Sequence, residues 1–174
     1  IGTVEFSLQM LITLLDKNAR VVGVVTGPDE GINSDYVNME KICNLYGIPI
    51  LFTKRINDED TINWVKLYFP DVIFCMGWSR LIKQELLKIA PMGVVGYHPA
   101  ELPKNRGRHP LIWALVLGLK RTASTFFFMD EGADSGDIIN QKPISIDCDD
   151  DAATLYVKMI NTAKAQIDEI LPSL

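Results

Sequence analysis

A chain of 174 residues, 48% apolar and 22% charged, has enough material for a sizeable core without disulfides and the composition of an ordinary water-soluble globular fold. Lys and Arg number 17 and Asp and Glu 22, so the formal net charge is 17 − 22 = −5, which argues against binding nucleic acid by bulk attraction and leaves only local basic patches for phosphates. No apolar run reaches the ~20 residues of a membrane span, and Cys43, Cys75 and Cys148 lie too far apart for a C-x-x-C pair, which fits free thiols in a reducing cytoplasm.

The chain opens IGTVEFS, without the charged and apolar regions of a signal peptide, and Ile1-Gly2-Thr3 reads as the end of a strand whose earlier residues are absent. From Glu5 to Asn18, Phe6, Met10 and Leu14 form one stripe at helical spacing, with Leu8, Leu11, Ile12 and Leu15 beside it. Next come an apolar run at 20–26, a helical pattern at 37–46, a run at 48–53, a helix at 59–69 and a run at 71–77. Continuous apolar runs alternating with helical patterns predict parallel strands buried on both faces, hence a Rossmann-like α/β sheet with flanking helices. A helix at 79–90 leads to GVVGYH at 93–98, a loop rich in Pro and basic residues, and a helix at 109–119. The pattern then changes: runs at 122–129 and 138–146, separated by DEGADSGD, predict an antiparallel C-terminal addition, closed by a helix over 150–171. With no repeat, low-complexity tract or linker, the economical reading is one catalytic domain over 1–174, its first strand truncated, with room for a further C-terminal domain.

Both histidines lie in GYHPAELPKNRGRHP, residues 96–110. His98 ends a predicted strand, where open α/β sheets place their ligands, and an imidazole there can exchange a proton near neutral pH. Asp134, also in a loop after a strand, is the carboxylate best placed by topology to partner it. Position alone equally allows His98 to cap the strand. His109 precedes Pro110 and suits a helix start. Lys104, Arg106 and Arg108, with Gly107 among them, form a basic patch that could meet a phosphate or simply face water. The acidic loop around Asp130, Glu131, Asp134 and Asp137 lacks the alternating ligands of a calcium loop, so no metal site is expected. The aromatic run 126–128 and Trp64, Trp78 and Trp113 are read as core, and no G-x-G-x-x-G, G-x-S-x-G, P-loop or H-E-x-x-H occurs.

These residues resemble a known family. GYHPAELPKNRG resembles the N-x-H-P-S-L-L-P-x-x-R-G signature of the folate-dependent formyltransferases, and FMDEGADSGDIINQ resembles that family's second motif. GTVEFS looks like the G-T-P-E-F opening of its methionyl-tRNA and amino-sugar branch, and GWSRLI at 77–82 also matches, so the likeness covers essentially the whole chain. It implies a formyltransferase fold and transfer of a formyl group from 10-formyltetrahydrofolate to a primary amine, without a metal. By the same resemblance His98 and Asp134 are catalytic, and the pterin lies against Trp78, Ser79, Arg80, Leu81 and Ile82 and the loop Asp130, Glu131, Gly132, Ala133 and Asp134. The chain departs from the motif at Gly96, where the family has Asn to hold the formyl oxygen, and Asn105 is offered as a replacement donor.

GTVEFS has no glycine run for a phosphate, which disfavours glycinamide ribonucleotide, and the acidic stretch 26–38 disfavours tRNA. NRGRHPLIWAL looks closer to the enzymes that formylate nucleotide-linked amino sugars, with Lys104, Arg106, Arg108 and His109 as acceptor contacts. The expected partner is therefore a small-molecule amine in the cytoplasm, an amino sugar. Methionyl-tRNA and a folate-binding homologue without transfer activity are the alternatives.

Overall fold

A computed structural model of the chain describes residues 1–29, 31 and 34–174; within the acidic stretch 26–38, Glu30, Ile32 and Asn33 lie outside the described residues. The chain divides into two compact units, Ile1–Val94 and Val95–Leu174.

The first unit alternates helices and short strands as the apolar pattern predicts. Its elements are α1 (Glu5–Asp16), β1 (Val24–Thr26), α2 (Glu40–Tyr46), β2 (Ile50–Phe52), α3 (Glu59–Leu67), β3 (Ile73–Cys75) and α4 (Gln84–Leu87). β1 and β2 pair in parallel, Val24 opposite Ile50. Residues 1–3 run between β1 and β3: the Gly2 N–H donates to Val25 O at 3.1 Å and the Met76 N–H to Ile1 O at 2.9 Å. Any side chain at Gly2 would collide with the Met76 carbonyl, 2.2 Å from an added Cβ, so this close approach requires glycine. Leu11 of α1, Val24 of β1, Met39, Cys43 of α2 and Ile48 pack into one buried cluster. Cys75 is buried, and burial pushes its thiol up to about 11, which fits a free, unreactive cysteine.

One expected element is much shorter than its pattern. The helix expected at 79–90 is only α4, four residues long, because Asn57 engages the segment before it. The Asn57 amide donates to Leu81 O at 2.9 Å and its Oδ1 accepts from the Lys83 N–H at 2.8 Å, while the Arg80 guanidinium donates to Lys54 O. The two Asn57 bonds take the Leu81 carbonyl and the Lys83 N–H, main-chain groups that a longer helix would use, and residues 79–83 stay outside the helix.

The second unit carries β4 (Val94–His98, which begins at the boundary), α5 (Pro110–Val116), β5 (Arg121–Phe128), β6 (Ile138–Ser145) and α6 (Ala152–Ile170). β5 is antiparallel to β6, Thr125 opposite Gln141, as the sequence predicts for this end of the chain, and it is antiparallel also to β4, Gly96 opposite Phe127, a pairing that the sequence reading did not include. α6 starts at Asp151, whose carboxylate accepts from the Thr154 N–H at 2.8 Å, and that bond holds its pKa below the usual aspartate value. Leu155 and Met159 of α6 pack on Ala114 of α5 and on Ile144 and Ile146. No helix among the described residues is long and apolar enough to cross a membrane.

Candidate active site at the end of β4

β4 ends at His98, which is buried, its side chain 6% exposed. The chain then turns into a strap that runs to the start of α5 and folds back over the imidazole. His98 Nε2 lies 2.8 Å from the main-chain carbonyl oxygen of Asn105. A carbonyl accepts and never donates, so Nε2 carries the hydrogen in this contact. On the other side His98 Nδ1 faces Asp134 Oδ2 at 3.4 Å. With Nε2 protonated, that approach is favourable only when a proton also lies between Nδ1 and the carboxylate. The pair is thus built to hold one exchangeable proton.

Asp134 comes from the loop between β5 and β6. Asp130 organises that loop, its Oδ1 accepting from Ser135 Oγ at 2.6 Å and from the Gly132 N–H at 2.9 Å. The Ser135 hydroxyl, above all, holds the Asp130 carboxyl below the usual range, with the Arg106 charge adding to the effect. The loop closes where the Phe128 N–H donates to Asp137 O at 2.8 Å. Asp134 itself is in the left-handed region at φ 52°, as are Asn105 at 56° and His109 at 57°. The Asp134 side chain is 23% exposed, so the carboxylate is the face that the pair presents to solvent.

The structure therefore brings together His98 and Asp134, as expected, and adds Asn105 through its carbonyl. It also adds Gly107, which the sequence reading placed in the basic patch as the residue that allows close approach of a phosphate, not as a partner of Asp134. The Gly107 N–H donates to Asp134 Oδ2 at 3.0 Å, with Gly107 at φ 100°, a conformation that glycine adopts freely. The signal available in the sequence was the glycine between two arginines, which marks a turn but not its partner. Lys104, Arg106, Arg108 and His109 are exposed, and Lys104 pairs with Glu101 at 3.7 Å.

At Gly96 a side chain has no room. An added Cβ would stand 2.7 Å from Met129 Cγ and 2.9 Å from Phe127 Cζ. The space that an asparagine would occupy is filled from β5 and the residue after it. Restoring that residue as Gly96→Asn is expected to destabilise the fold by about 1–3 kcal/mol through overpacking, seen as a lower midpoint in urea unfolding; an unchanged midpoint would mean that Phe127 and Met129 yield freely.

The residues assigned to the pterin fall in two places. In the first unit Trp78, Ser79 and Arg80 line an open cleft together with Thr3, Gly27 and Thr53. Leu81 is exposed and Ile82 is buried in the unit's interior. Trp78 Nε1, Thr3 Oγ1 and Thr26 Oγ1 are buried without a hydrogen-bond partner, so three groups in or beside this cleft have unmet hydrogen-bonding capacity. In the second unit Asp130, Glu131, Gly132 and Ala133 are exposed on the loop that carries Asp134. Among the described residues no cluster of His, Cys, Asp and Glu could hold a metal ion.

A family model described as "Formyl transferase" matches residues 3–171. The methionyl-tRNA formyltransferase of Kosmotoga olearia is 35% identical over 174 residues, covering 98% of this chain and 56% of that protein. The chain thus spans about half the length of the curated relatives it matches. The phosphoribosylglycinamide formyltransferase from Bacillus halodurans superposes with a TM-score of 0.78 at 22% identity, over 95% of this chain and 88% of that one. A sugar 3N-formyl transferase solved with dTDP and 5-N-formyl-THF superposes with a TM-score of 0.76 at 21% identity, over 99% of this chain and 60% of that one. At such identities these two likenesses bear on the fold alone, and they agree with the mixed α/β architecture described above.

Proposed function

Because the chain belongs to the formyl transferase family, we propose that it transfers a formyl group from 10-formyltetrahydrofolate to a primary amine, with the amine of methionyl-tRNA as the acceptor that its relatives favour. The observation that carries the reading is the buried His98 paired with Asp134 at the end of β4.

In this transfer one C–N bond breaks and another forms. The attacking amine gives up one proton and the departing folate nitrogen takes one up, so the reaction needs a group that accepts and returns a proton near neutral pH. His98 and Asp134 supply it. Asp134, the exposed member, takes the proton, and His98 shares it through Nδ1 while Nε2 stays committed to the Asn105 carbonyl. The Gly107 N–H donates to Oδ2 and keeps the carboxylate oriented toward His98. Gly96 offers no donor for the charge that develops on the formyl oxygen. The Asn105 side chain sits on the exposed strap and is the amide available for that task; a single such donor is worth roughly 3 kcal/mol in the barrier.

The first-unit cleft suits a flat heteroaromatic ring, since Trp78 Nε1 and the Thr3 hydroxyl present hydrogen-bonding groups without partners beside exposed main chain at 79–80. The folate supplies the activated formyl group; Trp78, Ser79, Arg80 and Leu81 are the residues of the first unit proposed to bind and orient its ring.

A second reading, an amino-sugar acceptor, is favoured by charge. The net charge of −5 and the acids Asp29, Glu30 and Asp35 within 26–38 oppose a polyanion such as tRNA. In that case Lys104, Arg106, Arg108 and His109 meet the acceptor's phosphate. Incubation with 10-formyltetrahydrofolate and, separately, methionyl-tRNA, nucleotide-linked amino sugars and glycinamide ribonucleotide decides. Formyl-methionyl-tRNA as the dominant product is expected; a formylated amino sugar alone would move the acceptor to the second reading. Folate binding with no formylated amine would overturn transfer itself.

A further inference from the structure

His98, Thr125 and Gln141 form one row across three strands of the second unit. His98 on β4 stands opposite Thr125 on β5, and Thr125 opposite Gln141 on β6. Thr125 is fully buried. Its hydroxyl donates to Ala100 O at 2.7 Å and accepts from Gln141 Nε2 at 2.9 Å. The same Gln141 amide donates to Leu102 O at 3.1 Å. Ala100 and Leu102 belong to the strap that leaves His98, and both are buried. Three residues beyond Leu102, the strap delivers the Asn105 carbonyl to His98 Nε2 at 2.8 Å.

The row thus begins and ends on the same imidazole. Two side chains with hydroxyl and amide groups grip the strap's carbonyls, and the gripped strap fixes which ring nitrogen of His98 bears hydrogen. Main-chain turns shape the strap locally, the Leu102 N–H donating to Ala100 O and the Lys104 N–H to Glu101 O, both at 2.9 Å, but the bonds that tie the Ala100 and Leu102 carbonyls to β5 and β6 are those of the Thr125 and Gln141 side chains. Because a neutral imidazole exchanges its hydrogen between Nδ1 and Nε2 unless a partner fixes it, the placement of one carbonyl decides whether Nδ1 can share a proton with Asp134.

We propose that Thr125 and Gln141 are positioning residues, which hold the strap so that His98 keeps its hydrogen on Nε2 and offers Nδ1 to Asp134. Neither touches the reacting atoms. The kinetic consequence rests on the formyl-transfer reading, but the tautomer consequence does not.

The test uses long-range proton–nitrogen NMR of the imidazole rings. The chain has only two histidines, so comparison with His109→Gln assigns His98. At a pH where the ring is neutral, the unmodified protein and Thr125→Ser are expected to show the Nε2–H form. Thr125→Val, which keeps shape and removes the hydroxyl, and Gln141→Leu are expected to show a mixture with the Nδ1–H form. In the same variants kcat is expected to fall roughly 10- to 100-fold, as for a catalytic group displaced by a fraction of an ångström to an ångström, with the KM for 10-formyltetrahydrofolate changed little, and Thr125→Ser is expected to recover most of the loss. An unaltered Nε2–H form in both Thr125→Val and Gln141→Leu overturns the proposal even if activity drops. So does an Nδ1–H form in the unmodified protein. A protein that shows the tautomer shift yet formylates no amine would instead count against formyl transfer. Should Thr125→Val fail to fold, Gln141→Leu gives the same readout at a half-buried position.

Discussion

Asp134→Asn is expected to lower kcat for formyl transfer by about 10²- to 10⁴-fold, the range in which removal of a general acid or base is felt. The substitution keeps the size of the side chain and the acceptor for the Gly107 N–H, so the loop between β5 and β6 has no reason to move. What it removes is the carboxylate oxygen opposite His98 Nδ1, 3.4 Å away, and with it the group proposed to take a proton on the exposed side of the pair. His98→Ala is expected to be equally severe, because it removes the imidazole that faces the Asp134 carboxylate at 3.4 Å. The double variant should then be little worse than either single one, since the two residues act as a unit and such effects are far from additive. His109→Ala, by contrast, is expected to be milder and to act through the acceptor's KM, since His109 is exposed and lies outside the pair. Single-turnover rates of formyl-amine formation measure all four. Equal, mild losses from His98→Ala, Asp134→Asn and His109→Ala would remove the pair from the chemistry.

The largest expected effect on stability falls one residue from the row that supports the site. Phe126 is fully buried on β5, opposite Tyr97 on β4 and Asn140 on β6, with its ring 5.0 Å from that of Tyr97 at an interplanar angle of 62°. Phe126→Ala removes that edge contact and leaves a cavity that the flanking strands, tied by their ladders, cannot close. The cost is expected to be about 3–5 kcal/mol, a large share of the roughly 5–15 kcal/mol that a domain possesses. In urea unfolding this appears as a lower midpoint with an unchanged slope. A loss below about 1 kcal/mol would show that β4 and β5 repack, and would undercut the use of this sheet as a rigid frame for His98.

Most of the architecture was legible because it depends on local pattern. Apolar runs at 20–26 and 48–53 became β1 and β2, and the helical stripes at 5–18 and 150–171 became α1 and α6. The antiparallel end of the chain was legible for the same reason. What failed was the helix expected at 79–90, where three side-chain contacts from residues more than twenty positions away outweigh helical periodicity. Periodicity carries no information about such partners. At the site, His98 and Asp134 were legible from their motifs, whereas Gly107 was not, since its role is played by a main-chain N–H that any residue owns and only the fold aims. The Asn105 contribution was half legible: the residue was singled out for its side chain, and it reaches His98 through its carbonyl. Gly96 could be seen as a departure, but the reason that no side chain fits there lies in Phe127 and Met129, across the ladder.

The left-handed backbone at Asp134, φ 52°, sets two kinds of selection against each other. A residue with a Cβ is less comfortable in that region than glycine by roughly 1–2 kcal/mol, somewhat less for Asp. A glycine at 134 would therefore relax the loop while deleting the carboxylate. A library screened only for heat resistance or expression yield should enrich such a variant, and with it proteins that are sturdier and inert. Any campaign to make this chain more robust has to score turnover in the same round, because at this position the easier backbone and the working carboxylate are mutually exclusive.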